Sequence, residues 1–408
     1  MSPVHCFEKC VAWHLRTVLG IRLLLVVLSD SGVHRTATSG YLLSGGTEMF
    51  ETNPGSLAKA RALLVAVVFS VLSLGTAACA TVPPPPIAAD LPGSDGPCSV
   101  MPRRSVGNPA EWQLPVHIFE PSGSAKPFTG GSCNDGARPV IFFAHGYTAS
   151  FTEGYTAFMK HLVSNGFIVI YPGFQIAFDP PQQYKAVNAG FVAGIAATPR
   201  ADTSRAGFVG HSWGGGMTPR MMQLAAQRGW GDTAMWSVIF APSFPYQVGT
   251  GRISLPAEAR LLAVSFDEDY LVDMRIANDI VGSVTLPEGR AEHLLVRTDR
   301  QARPWLVADH TVPVTLGIST DTGLDVDHLD RWAVWRPIDA VAGCELAGVW
   351  CETDLADMGT QPNGHVVRRG ELFGTQAGTP VSDQVDVGPV ALVECTGLVK
   401  LLTQRRCG

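Results

Sequence analysis

Ser212 stands in the run Gly210-His211-Ser212-Trp213-Gly214, between an apolar stretch at 206–209 and a helical stretch at 217–228. A strand, a tight turn and a helix in that order hold a serine hydroxyl exposed at the carboxyl edge of a sheet. The residues two before and two after the serine come close together, so glycine fits at 210 and 214 where a Cβ would clash. Gly215 and Gly216 extend the small-residue patch. Such a serine does acyl-transfer chemistry, but not alone. It needs a histidine to take its proton, a carboxylate to hold the histidine's tautomer, and two N–H groups for the oxyanion. In a chain with 43 glycines the five-residue run carries little weight until those partners are found.

The oxyanion donors expected are the amides of Trp213, which follows the serine, and of Tyr147, which follows His145-Gly146 at the end of an apolar run. The Tyr147 ring is expected to roof the pocket, and His145 and His211 to orient loops near the turn. On this kind of sheet the order along the chain is serine, acid, histidine. Three carboxylates compete for the acid in Phe266-Asp267-Glu268-Asp269-Tyr270-Leu271-Val272. Asp269 is preferred because apolar residues follow it and open a helix, and Asp267 and Glu268 are then loop or capping residues. Among the histidines beyond it, His310 in Ala308-Asp309-His310-Thr311-Val312-Pro313 lies on a loop after a strand end and is the expected base. His293 begins an apolar strand and reads as packing. His328 reads as a helix-surface residue, and His365 falls in a glycine-rich tail.

The elements that must position these residues follow from periodicity. Continuous apolar runs at 139–144, 167–171, 206–209, 235–241 and 261–266 read as strands covered on both faces. They alternate with helical spacing at 154–165, 184–197 and 217–228, the second loosened by Gly190 and Gly194. A further helix at 324–342 has Trp332 and Trp335 facing the sheet. That alternation predicts an α/β chain, a mostly parallel sheet with helices on both faces. The short stretch between the Ala241 strand end and the Leu261 strand start leaves no room for a lid domain.

The 408 residues are 46% hydrophobic and 16% charged, enough for a large core. A formal charge of −6 gives no reason to expect nucleic acid or an anionic membrane surface as partner. Lys59 and Arg61, the apolar run 62–75 and Thr76-Ala77-Ala78-Cys79-Ala80 read as an export signal at 49–80. Met49 sits at the right distance to begin it, so 1–48 reads as an upstream extension from a misassigned start. The alternative is a membrane-directed segment at 18–28 beside Arg16 and Arg22. Cys79 fits a lipoprotein box, with Thr76 where Leu is usual, and Ala78-Cys79-Ala80 fits an ordinary cleavage site. Residues 81–97, with four consecutive prolines, read as a tether. The catalytic domain is expected at 98–343, with a cysteine-containing appendage at 344–408. Six cysteines outside the leader suit disulfides in an oxidising compartment, the local pairs being Cys344–Cys351 and Cys395–Cys407, leaving Cys98–Cys133. Their spacing does not suit a metal site.

With these residues assembled, the chain resembles the lidless α/β-hydrolases. It is most similar to the group holding dienelactone-hydrolase-like esterases, bacterial cutinases or polyester hydrolases, and chlorophyllases. The resemblance runs over about 112–343. It rests on His145-Gly146-Tyr147-Thr148-Ala149, Asp202-Thr203-Ser204-Arg205 leading into the Ser212 turn, Ala241-Pro242, the Asp269 loop and the His310 segment. It implies an α/β-hydrolase fold and an exported serine carboxylic-ester hydrolase without cofactor. The implied substrate is a small-molecule or lipid-like ester, with Tyr147, Trp213, Phe244 and Tyr246 lining an open cleft. His211 and Trp213 stand where cutinases carry Trp and Met, so polyester hydrolysis is not implied. The tail from about 344 has no counterpart in the group. The alternatives are a peptidase or acyltransferase with the same triad, or a catalytically silent surface binding scaffold.

Overall fold

The computed structural model describes residues 87–374 apart from 135, 151, 175–178, 249–252 and 316–325. The expected extension, the export signal with Cys79, and the Cys395–Cys407 pair lie outside the described residues. The nine strands of the central sheet are β1 Arg104–Asn108, β2 Glu111–Phe119, β3 Arg138–Ala144, β4 Ile168–Pro172, β5 Ala201–His211, β6 Ala234–Phe240, β7 Arg260–Phe266, β8 Ala291–Val296 and β9 Glu371–Gly374. They lie side by side in the order β9-β8-β7-β6-β5-β3-β4-β2-β1. The six from β3 to β8 run parallel, and β1, β2 and β9 make antiparallel edges.

Among the described residues five α-helices cover the sheet: α1 Thr156–Ser164, α2 Pro180–Ala196, α3 Trp213–Ala226, α4 Arg275–Ser283 and α5 Arg336–Ala347. Strand alternation divides the core in two. Ile141 and Phe143 of β3 face Phe158 and Leu162 of α1 and Ile338 of α5. Val140 and Phe142 face Val187 and Phe191 of α2 and Met217 and Met221 of α3. α2 starts on Asp179, whose side chain accepts the Gln182 amide, with Pro180 at the first helical position. Gly194, which as a sequence only weakens α2, is where the helix meets Ile170 of β4 too closely for a Cβ.

Expectations change at β5, at α3 and at His328. β5 runs eleven residues instead of four, because pairing with β3 and β6 extends it over the polar 201–205. α3 begins at Trp213 and not at 217, its glycine-rich first turn being held by tertiary contacts that outweigh poor propensity. His328 is buried and not on a helix surface: its Nε2–H donates to the Met358 carbonyl at 2.6 Å and its ring stacks on Trp332. The cause is the chain beyond α5, which folds back over that helix.

Pro92, Gly93 and Ser94 are buried, so packing begins before the expected tether end at 97. The Gly93 amide donates to Asp339 of α5 at 2.8 Å. Disulfides join Cys98 to Cys133 and Cys344 to Cys351, the expected partners. The described part of the tail, through β9, adds an antiparallel edge to β8. Among the described residues no helix is long and apolar enough to cross a membrane. The described residues between β6 and β7 hold the two-residue strand Ile253–Ser254 and no helix.

Candidate active site

β5 delivers the chain into the turn, and Ser212 takes φ 55° and ψ −119°. A serine there is strained by about 1–3 kcal/mol and persists only where its surroundings over-determine it. They do so here. The Ser212 amide donates to the Phe240 carbonyl at 2.9 Å, and the Ser212 carbonyl accepts the amides of Ser243 and Gly216. A Cβ on Gly210 would come within 2.6 Å of the Gly214 carbonyl oxygen, and one on Gly214 would strike the Ala144 carbonyl. Both glycines are thus required by the close passage of backbone.

His310 reaches Ser212 from the loop after β8. Its Nε2 lies 2.9 Å from Ser212 Oγ and its Nδ1 lies 2.7 Å from Asp269 Oδ2. An ionised carboxylate only accepts, so Nδ1 carries the proton and Nε2 is free to accept the serine's. Asp269 is itself held in place, because its other oxygen accepts the amides of Leu271 and Val272 at 2.8 and 2.9 Å. Serine and histidine are both nearly buried.

The structure separates the three competing carboxylates. Asp267 turns to the end of β8, where it accepts the Thr298 amide at 2.8 Å, and Glu268 pairs with Arg300 near the surface. Only Asp269 meets an imidazole that touches Ser212. The Glu268 amide donates to the Ala308 carbonyl, which ties the loop of Asp269 to the loop of His310. Asp309 accepts both the amide and the hydroxyl of Thr311 and shapes the turn just past His310.

Tyr147 follows β3 on the other side of Ser212. Its ring is more than a third exposed and meets the Trp213 ring edge-on at 6.1 Å, and Trp213 in turn packs on Tyr246 at 4.9 Å. His145 and His211 serve the loops. His145 Nδ1–H donates to the Gly146 carbonyl at 2.7 Å, and its ring stacks on Phe174. Burial pushes both imidazoles down to about 3, so they are neutral at ordinary pH.

The remaining histidines lie elsewhere. His293 is buried between Ser265, at 2.6 Å, and Asn278. His365 bonds Asp299 at 2.8 Å. Tyr155 is the residue that sequence reasoning misses. It reads as one apolar position of the helical stretch 154–165, and nothing local marks that its hydroxyl accepts the Gly146 amide at 3.0 Å and lies 2.8 Å from His211 Nδ1. Among the described residues no group of three or more His, Cys, Asp and Glu side chains could hold a metal ion.

Comparison with known proteins agrees with this architecture. The chlorophyllase family model matches residues 124–222, from the loop before β3 through the Ser212 turn and most of α3. No curated protein matches the chain. The matched family is one of ester hydrolases with the α/β-hydrolase fold, and over these residues the chain is similar to it; the mostly parallel nine-stranded sheet is the sheet of that fold.

Proposed function

We propose that the protein is an exported serine hydrolase of carboxylic esters, working through Ser212, His310 and Asp269. The unbroken hydrogen-bonded line Asp269–His310–Ser212, ending on a serine held at positive φ, is the observation that carries this reading. In the first step Ser212 Oγ attacks the ester carbonyl carbon while its proton passes to His310 Nε2. Asp269 stabilises the imidazolium, and the amides of Tyr147 and Trp213 hold the oxyanion. The tetrahedral centre collapses as His310 returns the proton to the departing alkoxide. Water, deprotonated by His310, then releases the acid from the acyl-enzyme.

The loops that carry the site expose Tyr147, Tyr270, Leu271, Trp305 and Val307, which supports a site for apolar acyl groups. The disulfides Cys98–Cys133 and Cys344–Cys351 support an oxidising compartment. Cys79 is the proposed point of lipid attachment, tested by fatty-acid labelling of the chain and of Cys79→Ser.

The deciding experiment is hydrolysis of p-nitrophenyl esters from acetate to long-chain acids by the protein and by Ser212→Ala. Loss of about three or more orders of magnitude in the variant supports the reading. Equal rates in both would remove Ser212 as nucleophile and favour a silent binding scaffold.

A further inference from the structure

Two buried polar side chains beside the site take no part in the proposed chemistry. Tyr155 precedes α1 and His211 ends β5, and both are shielded from solvent. Their bonds make one continuous path. The Gly146 amide donates to Tyr155 Oη at 3.0 Å, Tyr155 Oη lies 2.8 Å from His211 Nδ1, and His211 Nε2 lies 2.9 Å from the His310 carbonyl oxygen.

The directions along this path are fixed. The amide can only donate and the carbonyl can only accept. The phenol therefore accepts from Gly146 and gives its single proton to His211 Nδ1. That leaves His211 as the Nε2–H tautomer, donating to the His310 carbonyl. Every group is satisfied in this arrangement. A doubly protonated His211 would leave the phenol proton facing another donor.

We propose that Tyr155 and His211 are positioning residues: a neutral relay that fastens the loop carrying the oxyanion donor to the loop carrying the catalytic base, through the back of the nucleophile turn. The inference rests on the serine-hydrolase reading given above. The relay ties together segments distant in the chain, Gly146 and His310 at its ends, while passing through the residue next to the nucleophile. Its compactness explains a further glycine. A Cβ on Gly146 would press to 3.1 Å from the Tyr155 hydroxyl, 3.2 Å from His211 Nδ1 and 3.4 Å from Ser212 Cβ.

Neutrality matters because His310 must gain a proton during each acyl transfer. The titratable groups facing His211 are Tyr155, His145 and His310, whose ring centroid lies 4.9 Å away; Asp269 bonds His310 at Nδ1. Burial first, and then the proximity of His310, oppose a charge on His211. His211 thus keeps hold of the His310 carbonyl whether or not the His310 ring is charged.

The test uses the full chain with p-nitrophenyl butyrate and the variants Ser212→Ala, Tyr155→Phe, His211→Leu and His211→Gln. Tyr155→Phe and His211→Leu are expected to lower kcat by about 10- to 100-fold with KM within about twofold, as a slight misplacement of reacting groups does. His211→Gln, whose amide can donate to the carbonyl and accept from the phenol, should recover most of that loss. A kcat unchanged in Tyr155→Phe and His211→Leu, or equal losses in the Leu and Gln variants, would overturn the relay. Nitrogen NMR of 15N-histidine-labelled protein tests it without activity. His211 should stay a neutral Nε2–H tautomer from about pH 5 to 9, and titration in that range or an Nδ1–H tautomer would overturn the relay. Equal hydrolysis by the parent and Ser212→Ala would sink the serine-hydrolase reading instead, and the tautomer measurement would still decide the hydrogen-bond path.

Discussion

α1 joins two buried histidine clusters of opposite character. At its start, Tyr155 meets His211, which is neutral. Near its end, His161 is equally buried, yet its Nδ1 lies 3.1 Å from Asp95 and its Nε2 lies 3.2 Å from Asp339 of α5. With a carboxylate on each ring nitrogen, both must carry a proton. Burial alone would lower the His161 pKa, but the Asp339 carboxylate, helped by Asp95, raises it to about 9. Trp335 stacks on the ring at 4.5 Å. The same burial penalty acts on both imidazoles, so the partners decide the charge. Two carboxylates make His161 a fixed cation that pins the segment around Asp95 and α5 to α1. A phenol and a carbonyl keep His211 uncharged beside His310, whose charge would come and go in the proposed acyl transfer.

The contrast can be broken at either end. On the side of the proposed triad, Asp269→Asn should lower kcat by about 10³–10⁴-fold, because the asparagine favours the wrong tautomer of His310. Asp267→Asn should leave kcat within about threefold, since that carboxylate serves the Thr298 amide. Steady-state kinetics on one ester compares the two, and the reverse order would move the acid to Asp267.

On the structural side, Asp339→Asn removes one partner of a buried pair and should cost about 3 kcal/mol in urea unfolding. Its kcat/KM at neutral pH should stay within about twofold, which separates a staple from a catalytic group. A smaller effect tests the charge itself. The folded His161 pKa lies above the ordinary value of 6.5, so its stabilisation is complete below about pH 6.5 and disappears as pH rises through about 9. Unfolding free energy should fall by about 1–3 kcal/mol over that window, and the fall should be absent in His161→Gln. A flat profile in the parent protein would make His161 neutral. The weakest response is expected for Asp95→Asn, under about 1 kcal/mol, because that carboxylate is more than half exposed and solvent screens it.

Much of the framework is legible in the sequence because its causes are local. The continuous apolar runs at 139–144 and 261–266 form buried parallel strands, and the alternation of strand and helix predicts the layered architecture. Gly210 and Gly214 mark the turn because close backbone passage excludes any other residue. The lengths of β5 and α3 are not legible, because pairing and packing override weak local preference there. The burial of His328 is not legible either, because the segment that covers it lies thirty positions on.

The chain's local chemistry therefore specifies its strands, its turn and a short field of serine, carboxylate and histidine candidates. Each depends on steric or apolar character that neighbouring residues already express. Which candidates meet is a property of the folded molecule alone. Ser212 and His310 are 98 positions apart and Asp269 and His310 are 41. Their hydrogen bonds, the neutrality of His211 and the charge on His161 come from which groups folding brings within about 3 Å after water has been excluded. Hydrogen bonds and desolvation act through space, without regard to sequence distance.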